Sequence, residues 1–186
     1  SGDVFAAFAH DNLAPIHTFM FRRLCISDSI RFDESLDTLE DHDFWLHLAE
    51  KHRFLYANEV FAHYRTHAQM TTLKHADLMR AGRLRVQLRA VDMSAFQRLM
   101  PEQKALVYYD IGAGHLMLGN TSEARSWFKR AIRQSPRAIR PYVLIGLSLL
   151  GNRVIRTAAQ ARYNVKAVMR KNNRWIYRSA DAKRPS

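Results

Sequence analysis

From Ala105 to Pro136 the chain reads "ALVYYDIGAGHLMLGNTSEARSWFKRAIRQSP", and its order of large and small residues leaves few ways to fold. Tyr108, Ile111, Gly112 and His115 recur at helical spacing, as do Ala124, Phe128 and Ala131, with Gly119 and Asn120 as a break between the two runs. The small residues let two antiparallel helices approach, and the aromatic residues fill the space between them. A helical hairpin over about 105–138 is therefore expected. The following "RPYVLIGLSLLG" restarts the pattern at Tyr142, Ile145 and Gly146 without a matching second helix. One such unit cannot bury its own outer face, so it is expected to pack on the preceding part of the chain.

Charge separates the chain into two parts. Residues 1–72 carry 6 Lys+Arg against 11 Asp+Glu, a net of −5, whereas residues 73–186 carry 23 against 6, a net of +17, which together give the overall +12. Eight of the nine histidines lie at or before His75. This asymmetry predicts two regions, 1–72 and 73–186, the second attracted to anionic partners. With 47% hydrophobic residues in 186, the chain has material for a core of one domain or two small ones. Cys25 has no second cysteine to pair with inside the chain. The longest apolar run, Tyr142 to Leu150, is far shorter than the roughly 20 residues that span a bilayer.

The first region reads as short elements: a helix near Val4 to His10, a turn at "DNLAP", a strand "IHTFMF", a helix or turn "RRLCIS" and an acidic loop "RFDESLDTLED". Glu40 to Lys51 is helical by spacing, because Asp41, Phe44, Trp45 and Leu48 share one face, and Thr38 is placed to cap it. Two aromatic-rich strands follow, "RFLYA" and "EVFAHYR", and from Thr72 onward the chain is expected to be helical. The fold class is thus mainly α with a small β portion.

The acids Glu40, Asp41 and Asp43 admit two explanations. Carboxylates are common in a helix's first turn, where free N–H groups and the macrodipole favour negative charge. Alternatively, Asp41 beside Trp45 faces a pocket and acts as a base toward a hydroxyl. His63 and His67 are four apart but lie on a strand and the loop after it, where that spacing does not share a face, so a zinc site is not expected. The arginines of "RAGRLRVQLR" and "VMRKNNRWIYR" read as solvated helix faces. No nucleic-acid-binding motif accompanies them.

Two resemblances add to this reading. The 105–138 hairpin resembles a tetratricopeptide repeat, with a partial second repeat after it. The run "NLAPIHTFMFRR" followed by "RFDESLDTLEDHDFWLHLAEKHRFLYANEVFAHYRTHAQMTT" resembles the C-terminal part of family 2 glycosyltransferases of the GT-A fold. That family shows an arginine pair after a strand, Gly-x-Phe-Asp-Glu, a Glu-Asp-x-Asp-x-Trp helix and Tyr-Arg-x-His. Here Ile30-Arg31 replaces the glycine position, and Thr66 stands where a second arginine is usual.

The glycosyltransferase resemblance implies an acceptor-side part of an α/β GT-A domain over 1–72, followed by a basic helical extension over 73–186. It implies Asp41 as the base that deprotonates the acceptor hydroxyl for inverting attack on the anomeric carbon. Glu40, Asp43, Trp45 and Arg65 would contact substrate, and His67 the divalent metal or diphosphate. The complete enzyme would use a nucleotide-sugar donor, a glycan or lipid-linked acceptor and Mg²⁺ or Mn²⁺. The family's donor-binding half and its Asp-x-Asp are not found; Asp41-His42-Asp43 belongs to the acceptor motif. The chain is thus expected to be a fragment of a longer transferase, with no metal bound to it alone. The implied location is cytoplasmic, peripheral at the inner face of the cell membrane, with an anionic membrane surface as partner and no nucleic acid. The competing reading is a helical interaction module without catalysis of its own.

Overall fold

In the computed structural model, residues 1–13, 15–27, 30–63 and 75–149 are described. They form a mainly helical structure: α1 (Phe5–His10), 3₁₀ turns at Ile16–Thr18 and Arg23–Cys25, α2 (Glu40–Lys51), α3 (Ala76–Asp92), α4 (Ser94–Gln97), α5 (Pro101–Met117), α6 (Thr121–Gln134) and α7 (Ile139–Leu149). Among the described residues there is no sheet; β pairing is limited to two isolated antiparallel bridges, Gly2 with Phe54 and Ser27 with Ile30. No described helix is long and apolar enough to cross a membrane.

The core draws on both sides of residue 72. Phe5, Phe8 and Ala9 of α1 pack with Phe44, Trp45, Leu46 and Leu48 of α2, with Val86 and Ala90 of α3, and with Val107 and Ile111 of α5. Aromatic stacking covers its edge: Phe19 lies on Trp45 at 4.3 Å and Phe32 on Phe44 at 4.4 Å between ring centroids. A second cluster, Leu116, Ala124 and Phe128, joins α5 to α6 and takes in Leu144 and Ile145 of α7.

The α5–α6 hairpin follows the spacing seen in the sequence. Pro101 opens α5, where its missing N–H costs nothing, and the Gln103 side chain accepts the Met100 N–H at 3.0 Å. Gly119 ends the helix with φ of +90°; its N–H bonds Leu116 O at 3.2 Å and the Asn120 N–H bonds His115 O at 2.9 Å. Gly112 lets α6 come close, since a Cβ there would sit 2.6 Å from the Phe128 ring.

Three local expectations are corrected. "IHTFMF" is not a strand: Ile16–Thr18 is a 3₁₀ turn, with the Thr18 hydroxyl donating to Pro15 O at 2.7 Å. Of "RFLYA", Phe54 alone makes a bridge, and residues 59–63 join no ladder. Leu55 remains 89% exposed and Val60 80%, because a strand needs a neighbour and propensity alone supplies none. Tyr64 and Arg65, which close "EVFAHYR", lie outside the described residues. Thr38 is not the cap of α2: Leu39 precedes the helix in a left-handed conformation with φ of 63°, and no side chain caps the helix. Thr38 is instead buried against α3, its hydroxyl facing Leu78 O at 3.4 Å.

Candidate functional site

The acid-rich N-terminus of α2 is the centre of a polar cluster built from four helices. Glu40 is exposed and Asp41 half-buried. Asp41 Oδ1 accepts the backbone N–H of His42 at 2.7 Å and the side-chain amide of Asn12 at 3.2 Å. Asn12 follows the end of α1, so the "DNLAP" turn delivers a donor to the proposed base. Its own Oδ1 is buried without a partner among the described residues.

Asp43 lies deeper than Asp41, at 1% exposure. Its Oδ2 is 3.1 Å from Arg89 Nη1 and 3.6 Å from His47 Nδ1, while Oδ1 has no partner among the described residues. The same guanidinium reaches Asp33 through Nη2 at 2.5 Å. Hydrogen bonds from Ser35, and then the Arg89 contact, hold the Asp33 carboxyl down at about 2. One arginine of α3 thus bridges a carboxylate of the acidic loop, Asp33, and one of the acid helix, Asp43.

His42 is fully buried and bonds Phe8 O through Nε2 at 2.6 Å; since a carbonyl only accepts, that nitrogen carries the proton. Burial pushes its pKa below the ordinary histidine value, against the opposing pull of the Phe8 carbonyl. At the end of α1, His10 pairs through Nδ1 with Asp110 of α5, and that hydrogen bond raises its pKa. The His10 carbonyl, unsatisfied within its own helix, accepts from Arg83 at 2.8 Å and Gln87 at 2.9 Å, both on α3. Arg83 also meets Asp11 at 3.2 Å.

The structure therefore brings Asp41 and Asp43 to one helix end but gives them different surroundings. Asp41 is partly open to solvent; Asp43 is enclosed and paired. Trp45, expected to contact substrate, is 1% exposed, with Phe19 stacked on its indole. Its Nε1 has no partner among the described residues. Arg65 and His67 lie outside the described residues. Among the described residues no group of three or more His, Cys, Asp or Glu converges on a possible metal position. The nearest acids are already engaged, Asp43 by Arg89 and Asp41 by two N–H donors.

Local spacing marks few members of this cluster, and Arg89 and Asn12 both touch the candidate acids. Arg89 sits in "RAGRLRVQLR", which reads as a solvated face. Its signal was the charge imbalance itself, since eleven acids before residue 73 require cations from elsewhere once they are packed. Asn12 carried no signal beyond its turn. No family model matches the chain, and neither a curated protein nor a solved structure is similar enough to match it.

Proposed function

We propose that this chain is the acceptor-side, C-terminal portion of an inverting, sugar-nucleotide-dependent glycosyltransferase that builds a surface polysaccharide or glycolipid. Asp41 is its general base. The observation that carries the reading is the setting of that carboxylate. Two N–H donors orient Oδ1, while Oδ2 has no bond to a described residue and the side chain is half-open to solvent. Such a carboxylate can take the proton of an acceptor hydroxyl as its oxygen bonds to the anomeric carbon. The bond from that carbon to the donor diphosphate breaks with inversion, and the nucleoside diphosphate leaves. Most of the groups for nucleotide and divalent metal, Mg²⁺ or Mn²⁺, belong in this reading to a portion outside these 186 residues, to which this chain adds His67. The protein would work in the cytoplasm, held peripherally at the inner face of the membrane that carries its acceptor.

In the complete enzyme, Asp41→Asn keeps the side chain's shape but cannot take the proton, so transfer should fall on the order of 10²- to 10⁴-fold with donor affinity nearly unchanged. Turnover above about half of wild type would sink the assignment. A second reading, a helical interaction module, is favoured by the enclosure of Trp45 and the Asp43–Arg89 pair, which make α2 a packing element. It requires Asp41→Asn to be silent in transfer.

A further inference from the structure

Helix α7 is apolar over most of its surface, and among the described residues only one side of it is covered. From Pro141 to Leu149 it holds no charged residue. Its inner side carries buried Pro141 and Ser148, with Leu144 and Ile145 packed on the α5–α6 cluster. Arg125 of α6 fixes this side, bonding the Ser148 hydroxyl at 2.8 Å and carbonyl at 2.7 Å. The outer side presents Ile139, Tyr142, Val143 and Leu149, exposed at 74, 48, 52 and 68%. With Gly146 these fall at i, i+3, i+4, i+7 and i+10, one continuous stripe. A Cβ placed on Gly146 would meet nothing within 4 Å, so no described residue covers the stripe at that point.

The α6–α7 end, where this stripe starts, carries a rim of cations. Arg137 and Arg140 flank Ile139, and Lys129, Arg130 and Arg133 line the second half of α6; all five are exposed. Arg130 lies over the Trp127 ring at 4.3 Å, and no carboxylate among the described residues pairs with any of the five. Residues 120–149 contain six Lys+Arg and the single acid Glu123. A protein partner would need acids opposite this rim and an apolar groove opposite the stripe. An anionic bilayer supplies both at once, with headgroups for the cations and an acyl boundary for the stripe.

We propose that the outer face of α7, with the cations of the α6–α7 end, is a membrane-docking surface for anionic phospholipid. This deepens the peripheral attachment proposed above by naming the surface, and it holds whether or not Asp41 is catalytic. The assay is sedimentation of the full chain with vesicles of mixed phosphatidylglycerol and phosphatidylcholine, and of phosphatidylcholine alone, near physiological salt. The wild-type chain should bind the anionic vesicles and not the neutral ones. Val143→Glu puts a charge into the stripe without touching the core and should weaken binding about tenfold or more. Serine substitution of Arg133, Arg137 and Arg140 together should weaken it on the order of 100-fold, at about fivefold per cation.

Contact is read directly from Gly146→Cys carrying an environment-sensitive dye, with Cys25→Ser as background; its emission should shift to the blue on anionic vesicles alone. Unchanged binding in both variants would overturn the proposal, because another basic segment would then hold the chain to lipid. So would an unshifted dye on a chain that sediments. A wild-type dimer that Val143→Glu converts to monomer, without vesicle binding, would assign the stripe to a second copy. Transfer to a soluble acceptor by the complete enzyme should not respond to Val143→Glu, which separates failure of the docking surface from failure of the catalytic reading.

Discussion

Removing Arg89 is the sharpest test of how the acidic and basic parts of this chain hold together. Its guanidinium touches Asp43 at 3.1 Å and Asp33 at 2.5 Å. Replacement by methionine keeps the length of the stem but strands a carboxylate that is 1% exposed and already has one oxygen without a partner among the described residues. Breaking a fully buried ion pair by deleting one member costs about 3–5 kcal/mol. The Arg89 side chain is 35% exposed and Asp33's 29%, so water screens part of the interaction and about 2–3 kcal/mol is expected. Asp43→Asn removes charge and demand together, while Arg89 keeps Asp33, so about 1 kcal/mol or less is lost. Urea denaturation followed by circular dichroism measures both, and the double variant completes a cycle in which Arg89→Met costs much less when combined with Asp43→Asn than it does in the wild type. A loss below about 1 kcal/mol, or equal losses for Arg89→Met with and without Asp43, would refute the reasoning.

Two further predictions concern packing and pH. Gly112→Ala places a Cβ 2.6 Å from the buried Phe128 ring and 3.1 Å from Ala124 O, so overpacking of about 1–3 kcal/mol should outweigh the roughly 1 kcal/mol gained in helix propensity. Gly146→Ala, facing open space, should stabilise by that propensity alone; thermal melts of the two should move in opposite directions, and a stabilised Gly112→Ala would show that the hairpin is looser than described. His42 has a lowered pKa in the fold, so its share of stability is present above 6.5 and is lost as pH falls below that value. His10 has a raised pKa, so its share is present below 6.5 and is lost as pH rises through the folded value. Stability measured from pH 5 to 8 should therefore lose its acid-side fall in His42→Gln and its acid-side support in His10→Gln; unchanged profiles would contradict both assignments.

What the sequence alone determined is what local spacing can encode. Glu40 to Lys51 was readable as α2 to the residue, because Phe44, Trp45 and Leu48 repeat at the helical period. The α5–α6 hairpin was readable because Gly112, Gly119 and Phe128 each meet a requirement set within some thirty residues: close approach, a left-handed helix end and an aromatic to fill the gap. Segments whose structure depends on a distant partner carry no such local code. "IHTFMF" and "RFLYA" have strand composition, but a ladder needs a neighbour, and among the described residues Phe54 pairs with Gly2 alone. Thr38 has the chemistry of a cap, yet packing against Gly82 and Leu78 of α3 took its hydroxyl away from α2. The acids of α2 show the limit most clearly, since Asp41 and Asp43 are two apart and alike in sequence. Tertiary packing alone decided that one is held by Asn12 through a single oxygen, the other oxygen having no partner among the described residues, and that the second acid is enclosed by Arg89. Burial and charge pairing depend on which helices meet, and α3 reaches α2 from more than forty residues away in the chain.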